Sequence, residues 1–147
     1  MRLTVQSDYS LRVLIYVATK QGELATIPEI ASAYGISRAH LMKVVHQLGK
    51  LGYLDTVRGR SGGFRLAKAA QDICIGSVVK ATEETLSLVP CLAHAGPGAG
   101  CRIDGACRLK AMLSEALEAF FAVLDRYTLA DIVAGRAAPL RRLLALV

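Results

Sequence analysis

Three cysteines, Cys91, Cys101 and Cys107, fall in and beside a glycine-rich stretch, and a fourth, Cys74, lies between Ile73 and Ile75. Thiolates are soft donors, and in a compliant loop they hold transition metals. Nine residues separate Cys91 from Cys101 and five separate Cys101 from Cys107, with no Cys-x-x-Cys pair. Structural zinc sites favour tight pairs. The spacing therefore points away from zinc and towards an iron–sulfur cluster, whose ligands must reach around several irons. Three sulfurs leave one ligand position unfilled. Cys74, His94 within the loop, or a carboxylate from elsewhere are the candidates, although the apolar neighbours of Cys74 suit a small buried side chain. Arg102 and Arg108 favour thiolate character with or without a metal. Without one, the trio reads as redox thiols or a disulfide pair.

The second chemical signal is charge. Residues 1–70 carry ten Lys and Arg against four Asp and Glu, which is the whole of the +6 net charge; residues 71–147 are neutral. A one-sided basic segment with helical patterning is the electrostatic footprint of nucleic-acid binding.

The elements that must position these groups follow from local patterns. Ser7 or Asp8 resembles a helix cap, with Leu11, Leu14, Ile15 and Ala18 on one face and a stop near Gly22. Thr26 and Glu29 make a loose capping box, with Pro28 in the first turn. Ile27, Ile30, Ala31 and Tyr34 form that helix's buried side, and Gly35 ends it. Ser37 caps the next helix. Its apolar stripe is Leu41, Val44, Val45, Leu48 and Leu51; its polar face carries Arg38, His40, Lys43, His46, Gln47 and Lys50. Two short helices joined through a glycine turn, the second with a basic face, predict a helix-turn-helix. Residues 53–57 and 64–66 then read as a hairpin around Arg58-Gly59-Arg60-Ser61-Gly62-Gly63, a wing whose glycines allow close approach to phosphates.

On this reading Ser37, Lys43, Arg58, Arg60, Ser61 and Arg65 mainly position on phosphates, a tip arginine enters a narrow minor groove, and Arg38, His40, His46 and Gln47 meet base edges. Residues 73–84 predict a short strand or turn and a helix. Residues 90–105 read as loop, because proline and glycine recur there. Residues 106–126 predict the longest helix. Its stripe of Leu109, Met112, Leu113, Ala116, Leu117, Phe120, Phe121 and Leu124 is broad enough to pack on a second copy. A short helix over 129–133 and a frayed end over 140–147 follow.

The expected fold is mainly α with a small β-wing: a winged helix-turn-helix head over 1–84, a cluster-binding loop over 85–107, and a dimerisation helix with its tail over 108–147. A hydrophobic fraction of 53% is ample for that core. No apolar run approaches the roughly 20 residues that span a bilayer. The opening residues turn polar too soon for a signal peptide, so a cytoplasmic location is expected. There cysteines stay reduced, which favours metal or redox chemistry over staples. No nucleophile motif or phosphate-cradling loop is present, so an enzyme is not expected. An electron carrier or small iron–sulfur enzyme and a zinc-binding adaptor are weaker alternatives; the lopsided charge and the wing argue against the first, and metal analysis decides the second.

The chain resembles the Rrf-two family of winged-helix regulators, and within it the nitric-oxide-sensing branch. The resemblance is carried by Asp8-Tyr9-Ser10-Leu11-Arg12, Gly35-Ile36-Ser37-Arg38-Ala39-His40-Leu41, the wing from Arg58 to Gly63, Leu86-Ser87-Leu88-Val89 ahead of Cys91, Cys101 through Cys107-Arg108-Leu109-Lys110, and Tyr127-Thr128-Leu129-Ala130-Asp131. It implies an iron–sulfur cluster, 4Fe–4S ahead of 2Fe–2S, held by Cys91, Cys101, Cys107 and the partner subunit's Asp8. It also implies a homodimer, a pseudo-palindromic double-stranded operator, repression, and nitric oxide as the signal, with an iron- or redox-responsive regulator of the same family as the alternative. The cluster-biogenesis branch uses a histidine three residues after the last cysteine; here that residue is Lys110, which does not ligate while protonated. The interval from Cys91 to Cys101 is a few residues longer than the family's usual spacing.

Overall fold

The computed structural model describes residues 2–93 and 101–146, and contains eight helices and a two-stranded sheet among them. Helix α1 (Val5–Thr19) begins two to three residues before the expected Ser7 or Asp8 cap. Thr4 caps it instead, its hydroxyl accepting the Ser7 N–H at 3.2 Å. A long-range contact fixes that choice: the Glu83 carboxylate accepts from the Thr4 N–H at 2.8 Å and from its hydroxyl at 3.1 Å. Asp8 therefore sits inside the first turn, where a negative charge favours the helix dipole.

Helix α2 (Ile27–Tyr34) starts as its local chemistry dictates. The Glu29 carboxylate accepts from the Thr26 N–H at 2.7 Å and from its hydroxyl at 2.9 Å. Gly35 ends the helix at φ 65°, a left-handed conformation that costs glycine nothing. Ser37 then caps α3 (Arg38–Lys50), its hydroxyl accepting the His40 N–H at 3.3 Å. Leu41, Val44 and Leu48 of α3 are buried against Val13, Leu14, Val17 and Ile30, so one apolar stripe from each helix closes the core of the head.

Strands β1 (Leu54–Val57) and β2 (Gly63–Leu66) pair antiparallel, with Leu54 opposite Leu66 and Asp55 opposite Arg65. Phe64 anchors the hairpin in the core and exchanges two backbone hydrogen bonds of 2.9 Å with Ala25, so the segment before α2 borders the wing. That closeness requires Gly63, where a Cβ would lie 2.5 Å from the Ala25 carbonyl oxygen.

Helix α4 (Ile75–Thr82) follows a short 3-10 turn over Ala70–Asp72. The chain later returns to it: Ile75 N–H donates to the Tyr127 carbonyl at 2.9 Å, and Leu129 N–H to the Ile73 carbonyl at 2.8 Å. Cys74 is half-buried at the head of α4, its thiol 3.7 Å from the carbonyl and carboxylate of Asp125, so its surroundings are less apolar than its sequence neighbours imply. The stretch expected as unbroken loop holds two short regular pieces, α5 (Pro90–Ala93) and a 3-10 turn over Asp104–Ala106. Proline at the first helical position permits the former.

Helix α6 (Arg108–Leu124) is the longest, and none of its residues is fully buried. Leu109 and Met112 are 58% and 64% exposed, while Phe120 and Phe121 meet edge to face and are half-buried. Helix α7 (Leu129–Val133) occupies the expected residues, capped by Thr128 with Asp131. The tail departs from expectation. It forms α8 (Ala137–Leu143) and does not fray: Leu144 is buried, and an Arg141 guanidinium N–H donates to the Thr19 carbonyl at 3.4 Å. Packing on α1 supplies the stability that local propensity does not.

Candidate DNA interface and cysteine site

Ser37 is exposed and spends its hydroxyl on the cap of α3, whose other first-turn amide groups have no intrahelical partner. Such an end attracts a phosphate. Arg38, His40, Lys43 and His46 are exposed on α3, and Arg58, Arg60 and Ser61 are exposed at the wing. Gly59 at the tip adopts φ 120°, which turns the arginines on either side of it outward through a conformation other residues rarely adopt. Two of the expected contacts are already engaged. The Arg65 guanidinium donates to the Asp55 carboxylate at 3.3 Å, across the strands. Gln47 is half-buried, and its amide oxygen accepts a hydrogen bond from the Gln6 amide of α1.

Sequence reasoning missed three residues on or against this surface. Met42 is 60% exposed on α3, one turn from both Arg38 and His46, so its thioether shares their face and offers an apolar contact of the kind that meets a thymine methyl. An apolar residue within a polar stripe was the available signal. Tyr9 of α1 meets the His40 ring edge to face, with centroids 6.1 Å apart. Gln6 holds Gln47 from the same helix. Nothing in local periodicity marks either as a neighbour of α3.

The first turn of α1 also carries Asp8. Both oxygens of its carboxylate accept from the Arg12 Nε–H at 3.0 Å, and the Arg12 guanidinium lies 5.6 Å from the Tyr34 ring centre. Burial raises the Tyr34 pKa and the Arg12 charge partly opposes it. Beneath this surface, Lys20 is bound to Glu29 at 3.0 Å. Burial acts to raise the Glu29 pKa, but hydrogen bonds from Lys20 and Thr26 prevail and hold it below the ordinary carboxylate range.

The thiols stand at the other end of the molecule's chemistry. Cys91 is on α5, Cys101 is exposed ahead of the 3-10 turn, and Cys107 occupies the cap of α6. All three are free, and α5 packs on α6. The first turn of α6 has no acidic residue, and it carries Arg108 and Lys110. The amino-terminal end of a 17-residue helix with two cations suits anionic sulfur. The donor types, though not their placement, are those of an iron–sulfur cluster. Among the described residues no three Cys, His, Asp or Glu side chains are gathered at one point. His94 lies outside the described residues. The Lys110 ammonium binds the Asp104 carboxylate at 2.7 Å. That hydrogen bond first, then the charges of Asp104, Cys91 and Cys107, raise the Lys110 pKa against the opposing effect of burial. Lys110 is therefore a cation held by Asp104, three residues after Cys107.

A family model described as Rrf2, iron-dependent transcriptional regulator, matches residues 3–135. The chain belongs to the Rrf2 family. It is similar to the HTH-type transcriptional regulator NsrR of Geobacillus kaustophilus, at 52% identity over 145 residues, covering 98% of this chain and 97% of that protein. The NsrR of Bacillus subtilis is 50% identical over 137 residues, covering 92% of each chain. Among solved structures, a transcriptional regulator from Listeria innocua superposes with a TM-score of 0.74, and T. potens IscR with 0.71. Each is 22% identical, and each match covers 90% of this chain and 86% of that one. These two likenesses confirm the winged-helix fold. This Rrf2 protein is accordingly a DNA-binding transcriptional regulator, and the family and its named relatives are regulators rather than enzymes. Among the described residues, no helix is long and apolar enough to cross a membrane.

Proposed function

We propose that this Rrf2 regulator acts in the cytoplasm as a homodimeric repressor. Its affinity for a pseudo-palindromic operator is set by an iron–sulfur cluster, of the 4Fe–4S type, held by Cys91, Cys101, Cys107 and the partner subunit's Asp8. Nitric oxide is the signal. The cluster supplies irons that react with nitric oxide, and an oxygen ligand leaves one of them more labile than thiolate ligation would.

One observation carries this reading. Asp8 shares the first turns of α1 with Gln6 and Tyr9, and those two side chains touch Gln47 and His40 of α3. A force that holds the Asp8 carboxylate therefore holds the helix that enters the major groove. The Arg12 guanidinium orients the Asp8 carboxylate, at 3.0 Å. The exposed Leu109 and Met112 on α6 provide apolar surface for a second copy, and burying them on association is favourable. In the dimer each α3 enters one major groove, the two about 34–36 Å apart, with Arg38, His40, Met42 and His46 towards base edges. Gln47, committed to Gln6, positions α3. Ser37, Lys43, Arg58, Arg60, Ser61 and Arg65 contact phosphates and the minor groove.

The test is the iron and sulfide content of protein prepared without oxygen. The wild-type chain should hold both, and Cys91→Ala, Cys101→Ala and Cys107→Ala should each lose most of them. Metal-free wild-type protein would end the proposal. The family model's description as iron-dependent favours a second reading, a regulator of iron supply. On that reading a chelator, and not nitric oxide, releases the operator.

A further inference from the structure

Helix α3 shows two apolar side chains on the face that meets DNA. Its buried stripe is Leu41, Val44 and Leu48. Ala39 lies on the opposite side of the helix and is exposed, and Met42, three residues on, is 60% exposed. Arg38, Lys43 and His46 surround the two, so a short apolar strip runs through a cationic face. A single exposed methionine elsewhere on a protein surface is ordinary. In the major groove it is not, because almost every group there is a hydrogen-bond donor or acceptor. Covering one of those with a thioether or a methyl leaves it unpaired, at a cost. The thymine C5 methyl is the groove's apolar group. Gln47 is of the type that grips adenine, but it is half-buried and holds the Gln6 amide. Helix α3 has no second Gln and no Asn, so it meets A·T pairs from the thymine side.

We propose that Met42 and Ala39 determine operator choice: each α3 reads the C5 methyls of two thymines on neighbouring base pairs, Met42 one and Ala39 the other. This rests on α3 entering the major groove, as above, and names the bases that it selects there. Three residues of helix rise about 4.5 Å, close to the roughly 3.4 Å between successive base pairs. Ala39 has the shorter reach, but its smallness lets the backbone of α3 come close to the groove floor at that point.

The protein, prepared without oxygen, would select binding sites from a pool of random duplexes. Each half-site should carry two adjacent thymines. Replacing a thymine by uracil removes the methyl and nothing else. At either position of one half-site it should weaken wild-type binding about fourfold, the worth of one buried methyl. Met42→Ala should abolish the uracil penalty at one position and keep it at the other, and Met42→Leu should keep both. The slope of log affinity against log salt should be the same for all three proteins, since no phosphate contact changes. Uracil tolerated at both positions would overturn the assignment. So would selected sites without the thymine step, a Met42→Ala protein that keeps both penalties, or a lower salt slope in that variant. Wild-type protein that enriches no sequence would instead overturn the placement of α3 in the groove, so the two failures are distinct.

Discussion

The Asp8 carboxylate and the Arg12 guanidinium form a closed pair on one face of α1, with both carboxylate oxygens at 3.0 Å from the same Nε. Each side chain is a little under half exposed, 46% and 45%. An exposed pair one helical turn apart contributes about 0.3–0.5 kcal/mol. Asp8→Ala should therefore leave the fold intact, with a urea midpoint close to wild type. If Asp8 serves the partner's cluster, the same variant should lower iron retention and release the operator. Loss of fold together with loss of iron would give Asp8 a structural role only.

The wing separates free from committed arginines. Arg58 and Arg60 are exposed, whereas Arg65 is paired to Asp55. Arg60→Ala should weaken binding about equally across operator sequences, and lower the slope of log affinity against log salt by about 1.8, roughly 0.9 for the wing of each subunit. Arg65→Ala should change the slope less, because its charge is already shared. Fluorescence anisotropy between 50 and 200 mM salt, a range over which 6–10 phosphate contacts cost roughly 10³–10⁵ in affinity, resolves the difference.

Gly76 marks where the head meets the arm. A Cβ there would lie 2.0 Å from a carboxylate oxygen of Asp125 and 3.0 Å from its backbone nitrogen. Asp125 also binds Lys80 at 2.7 Å and ends α6, so side-chain movement alone would not clear the clash. Gly76→Ala should destabilise the protein by about 1–3 kcal/mol, measured by urea unfolding. An unchanged midpoint would contradict the close packing of α4 on the end of α6.

The buried tail makes a sharper prediction. Leu144 is 7% exposed and packs into the core of the head. Leu144→Ala should cost about 2–5 kcal/mol. A surface-like effect of under 0.5 kcal/mol would restore the frayed end that local sequence implies.

Asp131 caps α7 by accepting from the Thr128 N–H at 2.7 Å and its hydroxyl at 2.8 Å. The backbone bond, then the hydroxyl bond, lower its pKa in the folded protein. A carboxyl with a depressed folded pKa stabilises the fold fully above its unfolded pKa of about 3.9, and that contribution is lost as pH falls through the folded value. Asp131→Asn should flatten the acid limb of stability against pH without changing its neutral plateau by as much as the wild type loses in acid. An identical acid limb would deny the carboxylate that role.

Much of this architecture was legible because its signals are local. Thr26 with Glu29, Gly35 in the left-handed region and Ser37 as cap each act within four residues, so the helix-turn-helix and its boundaries could be read directly. The glycines of the wing are equally short-ranged, and so is the short helix read over 129–133. What escaped was set at a distance. Thr4 displaced Ser7 as the cap of α1 because Glu83 reaches it from 79 residues away. Helix α8 forms because Leu144 finds a core that only the fold assembles. Within the interface, residue types marked the exposed basic positions, but Gln6 on Gln47, Tyr9 on His40 and Asp104 on Lys110 needed three dimensions. The pairing of Asp55 with Arg65 was within reach, since the two expected strands place them opposite one another.

The central claim is that a metal-loaded cysteine site controls DNA affinity. Its most direct test is operator affinity at one fixed salt concentration, measured on the iron-loaded dimer before and after stoichiometric nitric oxide, with a scrambled duplex alongside. The account predicts a loss of about 5–150-fold for the operator, the usual size of coupling between two sites, and little change for the scrambled duplex. Equal operator affinity before and after, in protein whose cluster has demonstrably reacted, would contradict it.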